Sequence, residues 1–192
     1  MKHKLSHYDF DLPVELIAQK PTQRRGQSRL LVVDRETQTL THDTFINLKN
    51  HLKNHPLMIF NDTRVIPAKL LAQLGPNSKQ VEILLIRELE PGLWEVMMKG
   101  LNRLKPETTL KFGNSGLRAQ FIRRQDNRAL IKFSSLEGLT AHLNESGRMP
   151  LPPYIQRPLN TNPQTLELDK KRYQTVFASH TGAIAAPTAG LH

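Results

Sequence analysis

The chain has 192 residues, 38% of them apolar and 6% aromatic, enough to bury one large core or two modest ones. Lys and Arg number 27 against 17 Asp and Glu, a net charge of +10, so the surface attracts polyanions, nucleic acid foremost, before any specific contact forms. Cysteine is absent, which excludes thiol nucleophiles, disulfide frameworks, Cys-based zinc sites and iron-sulfur clusters.

Residues 1–20 (MKHKLSHYDFDLPVELIAQK) mix charge with apolar side chains and lack the apolar run of a signal peptide. No later stretch approaches the roughly 20 apolar residues that cross a bilayer. A cytoplasmic, soluble monomer without membrane contact is expected. Asp11 is placed to cap a short helix over 13–19, which Pro21 stops. Residues 28–34 (SRLLVVD) and 40–44 flank a polar segment and suit a hairpin. Phe45, Leu48 and Leu52 recur at helical spacing after Asp43, predicting two to three helical turns before Pro56. The apolar run 57–60 reads as a buried strand ending in the polar loop Asn61-Asp62-Thr63-Arg64.

From Val65 the texture changes. VIPAKLLAQ, QVEILLIRE, LWEVMMKG, TTLKFG, LRAQFIRR and RALIKF, separated by turn residues, predict six strands of a small barrel or sandwich. Pro67 belongs at an edge or bulge, because it cannot donate to a ladder. Leu136, Leu139 and Leu143 mark a helix with Ser134 or Ser135 as cap and Gly147 as terminator. MPLPPYIQRP is expected to be extended, and PQTLELDKKRYQTVF to carry a helix. Mixed elements on either side of an all-β middle indicate an α/β domain, residues 1–63 with 150–192, interrupted by an inserted six-stranded β-barrel-like domain over 64–149.

Three places could carry chemistry. Asn61 to Arg64 follow a strand, where open α/β sheets bind ligands; Asp62 suits hydroxyls and Arg64 a carboxylate or phosphate, although an ordinary Asn-Asp turn reads the same way. Small side chains over 182–192 (GAIAAPTAGLH) let backbone amides approach a ligand, or simply pack tightly; Thr188 and His192 add polar handles. Tyr154 stands in a rigid proline-rich stretch, able to stack on a base or face a cation if that stretch is more than a linker. Lys99, Arg103, Lys105, Lys111, Arg118, Arg123, Arg124, Arg128 and Lys132 are opposed in their interval only by Glu107 and Asp126. They form a phosphate track or are scattered around a barrel; Arg123 and Arg124 cannot share a face of a regular strand. His3/His7 and His51/His55 are each four apart but lack the Glu of the zinc-protease helix, so no metal is expected. Phosphate-cradling glycine motifs and the G-x-S-x-G elbow are missing.

In order along the chain, DFDLPVELIAQKP, SRLLVVDR, NDTRVIPAKL, GRMPLPPYI, RYQTVFA and GAIAAPTAGLH resemble the N-terminal part of the S-adenosylmethionine:tRNA ribosyltransferase-isomerase family of queuosine biosynthesis. The resemblance implies a mixed α/β protein with an inserted barrel, and a substrate rather than a resident cofactor: S-adenosylmethionine, whose ribosyl part is transferred to 7-aminomethyl-7-deazaguanine at the tRNA wobble position. Epoxyqueuosine forms; adenine and methionine leave. No metal is implied. By matching motifs, Asn61, Asp62, Thr63, Arg64, Tyr154, Arg172, Tyr173, Gln174, Thr175 and Pro187, Thr188, Ala189, Gly190, His192 are placed around the substrates. Asp62 or His192 is the proton acceptor, Arg64 or Arg172 meets a carboxylate or phosphate, and Tyr154 or Tyr173 is an aromatic wall. Lys99, Arg103, Lys105, Lys111, Arg118 and Arg123 are assigned to tRNA. The family's pattern continues past PTAGLH, so the chain is expected to be a truncated fragment with little activity of its own, and MMKGLNRLKP is less basic than relatives show. A noncatalytic RNA-binding β-barrel module is the competing reading.

Overall fold

The computed structural model describes residues 4–52, 56–74 and 80–192, with the side chain of Arg103 outside that set. They form two compact units, Met1–Leu52 with Pro152–Asn160, and Lys53–Leu151 with Thr161–His192.

In the first unit the expected hairpin forms: β1 (Arg29–Asp34) pairs antiparallel with β2 (Thr39–Thr44). Asp34 Oδ1 accepts the N–H groups of Glu36 and Thr37, closing the turn. The helix expected over 13–19 is only a 3-10 turn, Val14–Leu16, with Pro13 rather than Asp11 at its cap. A short segment between Pro13 and Pro21 that buries no residue gains too little to propagate a helix. The helix after Asp43 is likewise short, a 3-10 turn Phe45–Asn47 running into α1 (Leu48–His51). Asp43 accepts from Thr44 N–H, Asn47 Nδ2 (2.7 Å) and His51 Nε2 (2.7 Å). The Asn47 amide first, then His51 and the Thr44 N–H, pull its carboxyl down to about 2. In the proline-rich stretch Ile155 N–H bonds Pro152 O, a turn where an extended run was expected. Gln19 ties the stretch down, donating to Tyr154 O and accepting from Gln156 N–H.

The second unit contains the predicted six strands: β4 (Lys69–Gln73), β5 (Gln80–Glu90), β6 (Leu93–Met98), β7 (Thr109–Lys111), β8 (Arg118–Gln125) and β9 (Arg128–Phe133). They close into an antiparallel barrel in the order β4-β5-β6-β9-β8-β7, sealed by Gln73 opposite Lys111. Strand alternation sends Leu70, Ala72, Ile83, Leu85, Val96, Leu110, Ala119, Phe121, Ala129 and Ile131 inward. A register shift between Phe121 and Arg123 interrupts β8 at Ile122; beyond it Arg123 and Arg124 pair with consecutive residues, Leu130 and Ala129, so regular alternation separates the two arginines.

Helix α2 (Leu136–Ser146) lays Leu139 and His142 on the barrel core, its N-terminus capped by Ser135 Oγ accepting from Gly138 N–H (3.0 Å). At its end Gly147 has an ordinary φ of −63°; glycine is required because a Cβ would lie 2.4 Å from Leu143 O and 2.6 Å from Pro67 O. Helix α3 (Pro163–Arg172) starts at Asn162, whose Oδ1 accepts from Thr165 N–H.

The remaining sheet is a parallel pair, β3 (Thr63–Val65) with β10 (His180–Ala183). The expected strand VIPAKLLAQ is broken at Pro67, which lies in the link between β3 and β4 outside any ladder. The run 57–60 is not a buried strand: Leu57 is 90% and Ile59 91% exposed. Among the described residues no strand pairs with it; the Asn61 side chain accepts from Thr63 N–H, and pairing with β10 begins only beyond that turn. A second small core gathers Val65, Met149, Tyr173 and Ala186, with Leu151, Ala183 and Leu191 at its margin. Among the described residues no helix is long and apolar enough to cross a membrane.

Candidate functional site

The parallel pairing of β3 with β10 sets the geometry, because it carries the Asn61–Arg64 residues alongside the segment that leads into 187–192. Asp62 O accepts from the N–H groups of Ser179 (2.7 Å) and His180 (3.1 Å), extending the ladder one residue upstream of β3. The Asp62 carboxylate Oδ2 lies 3.0 Å from His180 Nδ1, which is also 3.0 Å from Ser179 Oγ. A carboxylate only accepts, so Nδ1 carries the hydrogen in that contact. Both side chains are well exposed. Arg64 Nη2 donates to Ala178 O at 3.1 Å, which fixes one arm of the guanidinium and leaves the other donors to solvent.

The Tyr173-Gln174-Thr175 segment after α3 supports this loop from below. Gln174 Oε1 accepts from Val65 N–H and Gln174 Nε2 donates to Val65 O, both at 2.8 Å, so its amide takes the place of a neighbouring strand on β3. Thr175, 5% exposed, donates from Oγ1 to Asn61 O (3.1 Å), and a Cβ on Gly190 would fall 2.8 Å from Thr175 Cγ2. One buried threonine therefore touches both the strand-end loop and the 3-10 turn Thr188–Leu191, in which Gly190 N–H bonds Pro187 O. Gly190 is needed there for close approach.

The structure thus brings Asn61, Asp62, Thr63, Arg64, Gln174, Thr175, Pro187 and Gly190 into one neighbourhood. Tyr173 lies in the small core, 7% exposed, and Arg172 is half-buried at the end of α3. Thr188, Ala189 and His192 are exposed at the chain's last turn. Tyr154 belongs to the other compact unit and is exposed there. Sequence reasoning did not single out Ser179 and His180; Gln174 and Thr175, expected around the substrates, bond the backbone of 61–65. Nothing local in SHTG signals a pairing with Asp62; only the register of β3 and β10 does.

The barrel cations divide into two sets. Arg87 and Arg128 both point at buried Glu95, at 3.7 Å and 2.8 Å; Arg124 is held by Asn102 and Asp126 O, and Lys132 Nζ by Pro91 O. Lys99, Lys105, Lys111, Arg118 and Arg123 are exposed with no side-chain partner among the described residues, and Arg103 ends the 3-10 turn Leu101–Arg103. Among the described residues no three His, Asp or Glu gather as metal ligands; His51 bonds Asp43, while His3 and His55 lie outside the described set.

Comparison with known proteins places this arrangement. Residues 5–192 match the family described as "Queuosine biosynthesis protein". Relatives named S-adenosylmethionine:tRNA ribosyltransferase-isomerase include one from Desulforamulus reducens, 39% identical over 190 residues, and one from Caldanaerobacter subterraneus subsp. tengcongensis, 42% identical over 190. A third, from Staphylococcus aureus, is 41% identical over 189 residues. Each comparison covers 98% of this chain and 53% of the relative, so the chain spans about half the length of the curated relatives it matches. A solved S-adenosylmethionine tRNA ribosyltransferase from Thermotoga maritima is 31% identical, covering 91% of this chain and 56% of that one, with a TM-score of 0.36. With motifs from residue 5 onward accounted for by one family, the chain belongs to the queuosine biosynthesis protein family.

Proposed function

We propose that this chain works in the transfer of the ribosyl part of S-adenosylmethionine to 7-aminomethyl-7-deazaguanine in the tRNA wobble position, giving epoxyqueuosine, adenine and methionine. The observation that carries the reading is the junction at Thr175, where two separate family motifs, NDTR leading into β3 and PTAGLH in the turn beyond β10, lie against one buried side chain. The positive charge on sulfur acidifies the C5′ protons of the substrate, and a base must take one before adenine departs and the tRNA amine reaches the ribosyl carbon. Asp62 has Oδ2 engaged by His180 and Oδ1 open, and His192 is the other candidate acceptor. The free donors of Arg64 suit the carboxylate of the methionine part or a phosphate. Tyr173 is 7% exposed in the small core, so its ring offers a substrate no open face.

The free cations of the barrel favour one competing reading, an RNA-binding module without catalysis. Incubation of an intact, full-length form with S-adenosylmethionine and precursor-bearing tRNA separates the two. The transferase releases free adenine in proportion to modified tRNA. Salt-sensitive tRNA binding with no adenine supports the module and overturns the transferase.

A further inference from the structure

Lys111 and Arg118 stand directly opposite each other at the end of the β7–β8 ladder, on the outer face of the barrel. Like charges in that register repel, and neither has an anionic partner among the described residues. Between them runs the turn 112–117 (FGNSGL), closed by Phe112 N–H to Leu117 O (3.2 Å) and Ser115 Oγ to Phe112 O (2.7 Å). Gly113 (φ 53°) and Gly116 (φ 75°) adopt the left-handed conformation, and a Cβ on either would meet nothing within 4 Å. Conformation rather than crowding requires glycine at both. The N–H groups of Gly113, Asn114 and Gly116 have no acceptor among the described residues. A concavity of about 210 Å³ opens over the turn, lined by Lys111, Gly113, Asn114, Gly116, Leu117 and Arg118. Unpaired amides beside left-handed residues, flanked by two uncompensated cations, are the elements of an anion nest.

We propose that the β7–β8 turn is a phosphate subsite that grips the backbone of the RNA substrate. This rests on the reading of the chain as acting on tRNA and adds the place of contact. The next row on the same outer face holds Gln120 opposite Lys132, two residues or about 7 Å along the strands, so a polynucleotide crossing β7, β8 and β9 meets a cation in each row. Repulsion between Lys111 and Arg118 is relieved when a phosphate lies between them.

The test uses the full 192-residue chain. Lys111→Gln/Arg118→Gln is compared with the charge-matched Arg35→Gln/Lys49→Gln by tRNA titration across a salt series and by thermal melting. The expected result is at least a several-fold loss of tRNA affinity for the first pair only, with a shallower salt dependence, by about one to two in the slope of log K against log salt. Without RNA its Tm equals or exceeds that of the parent, because the repulsion is gone; a purely structural role predicts a lower Tm. Equal affinity for the two double variants, with the parent binding tRNA normally, overturns the subsite and leaves the tRNA reading standing. A parent that binds no tRNA overturns both. Titration with inorganic phosphate separates the sources: amide shifts at Gly113, Asn114 and Gly116 that saturate with free phosphate and are not moved by tRNA identify a free-anion site and overturn the RNA assignment.

Discussion

Gln174 offers the sharpest test of how the candidate site is held. Val65 is 3% exposed, and its N–H and C=O point to the same edge of β3, away from β10, where the Gln174 amide satisfies both at 2.8 Å. Gln174→Ala leaves a donor and an acceptor unpaired at a partly buried edge. At roughly 1–3 kcal/mol for each stranded group, discounted because water reaches the Gln174 side, the expected loss is about 2–4 kcal/mol. Urea denaturation at pH 7 measures it. Gln174→Glu adds a sign test: the introduced carboxylate still accepts from Val65 N–H but faces Val65 O with no hydrogen to donate. When protonated it regains an O–H donor, so the fold raises its pKa above the unfolded value. The stabilisation it supplies is then present below about pH 4.3 and is lost as pH rises through the folded pKa. The deficit of Gln174→Glu relative to the parent should shrink between pH 7 and pH 4. A loss under about 0.5 kcal/mol for Gln174→Ala, or a deficit that grows on acidification, would refute the clamp.

Other expectations follow from the barrel and its helix. Gly147→Ala places a methyl group against two backbone carbonyl oxygens and should cost about 1–3 kcal/mol by chemical denaturation, with no help from relaxing a left-handed φ. Ser135→Ala removes the acceptor for Gly138 N–H and should cost about 1 kcal/mol, whereas Ser134→Ala should cost less. Burial pushes the His142 imidazole below its usual pKa, against a small opposing pull from Glu145, so the folded state resists protonation. Its contribution is intact above about pH 6.5 and declines as pH falls below that, so His142→Gln should flatten the fall in Tm between pH 7.5 and 5.5. An unchanged slope would sink that assignment.

What could be read along the chain was what short-range chemistry decides. The hairpin at 29–44, the six barrel strands and α2 with its Ser135 cap all have turn or cap residues at their own ends. At 57–60 apolar continuity does not bring burial, because burial depends on a partner strand and pairing with β10 begins only at Thr63. The helix at 13–19 failed for want of a face to bury. In the site, NDTR and PTAGLH were legible as motifs, while the roles of Gln174, Thr175 and His180 depend on contacts spanning more than a hundred positions. Side-chain type showed that they were polar; only the register of a parallel pair shows what they hold.

The barrel begins and ends at a single bridge, with Lys69 N–H to Arg148 O at 3.1 Å and Arg148 N–H to Lys69 O at 2.9 Å. Mechanically, that pair is a clasp. Tension entering at Lys69 and leaving at Arg148 meets those two hydrogen bonds first, with Ala68 O, which accepts from Leu85 N–H at 2.9 Å, anchoring the entry to β5 beside them. A pull on the flanking polypeptide is thus met at the mouth of the barrel before it reaches the outer-face cations of β7 and β8.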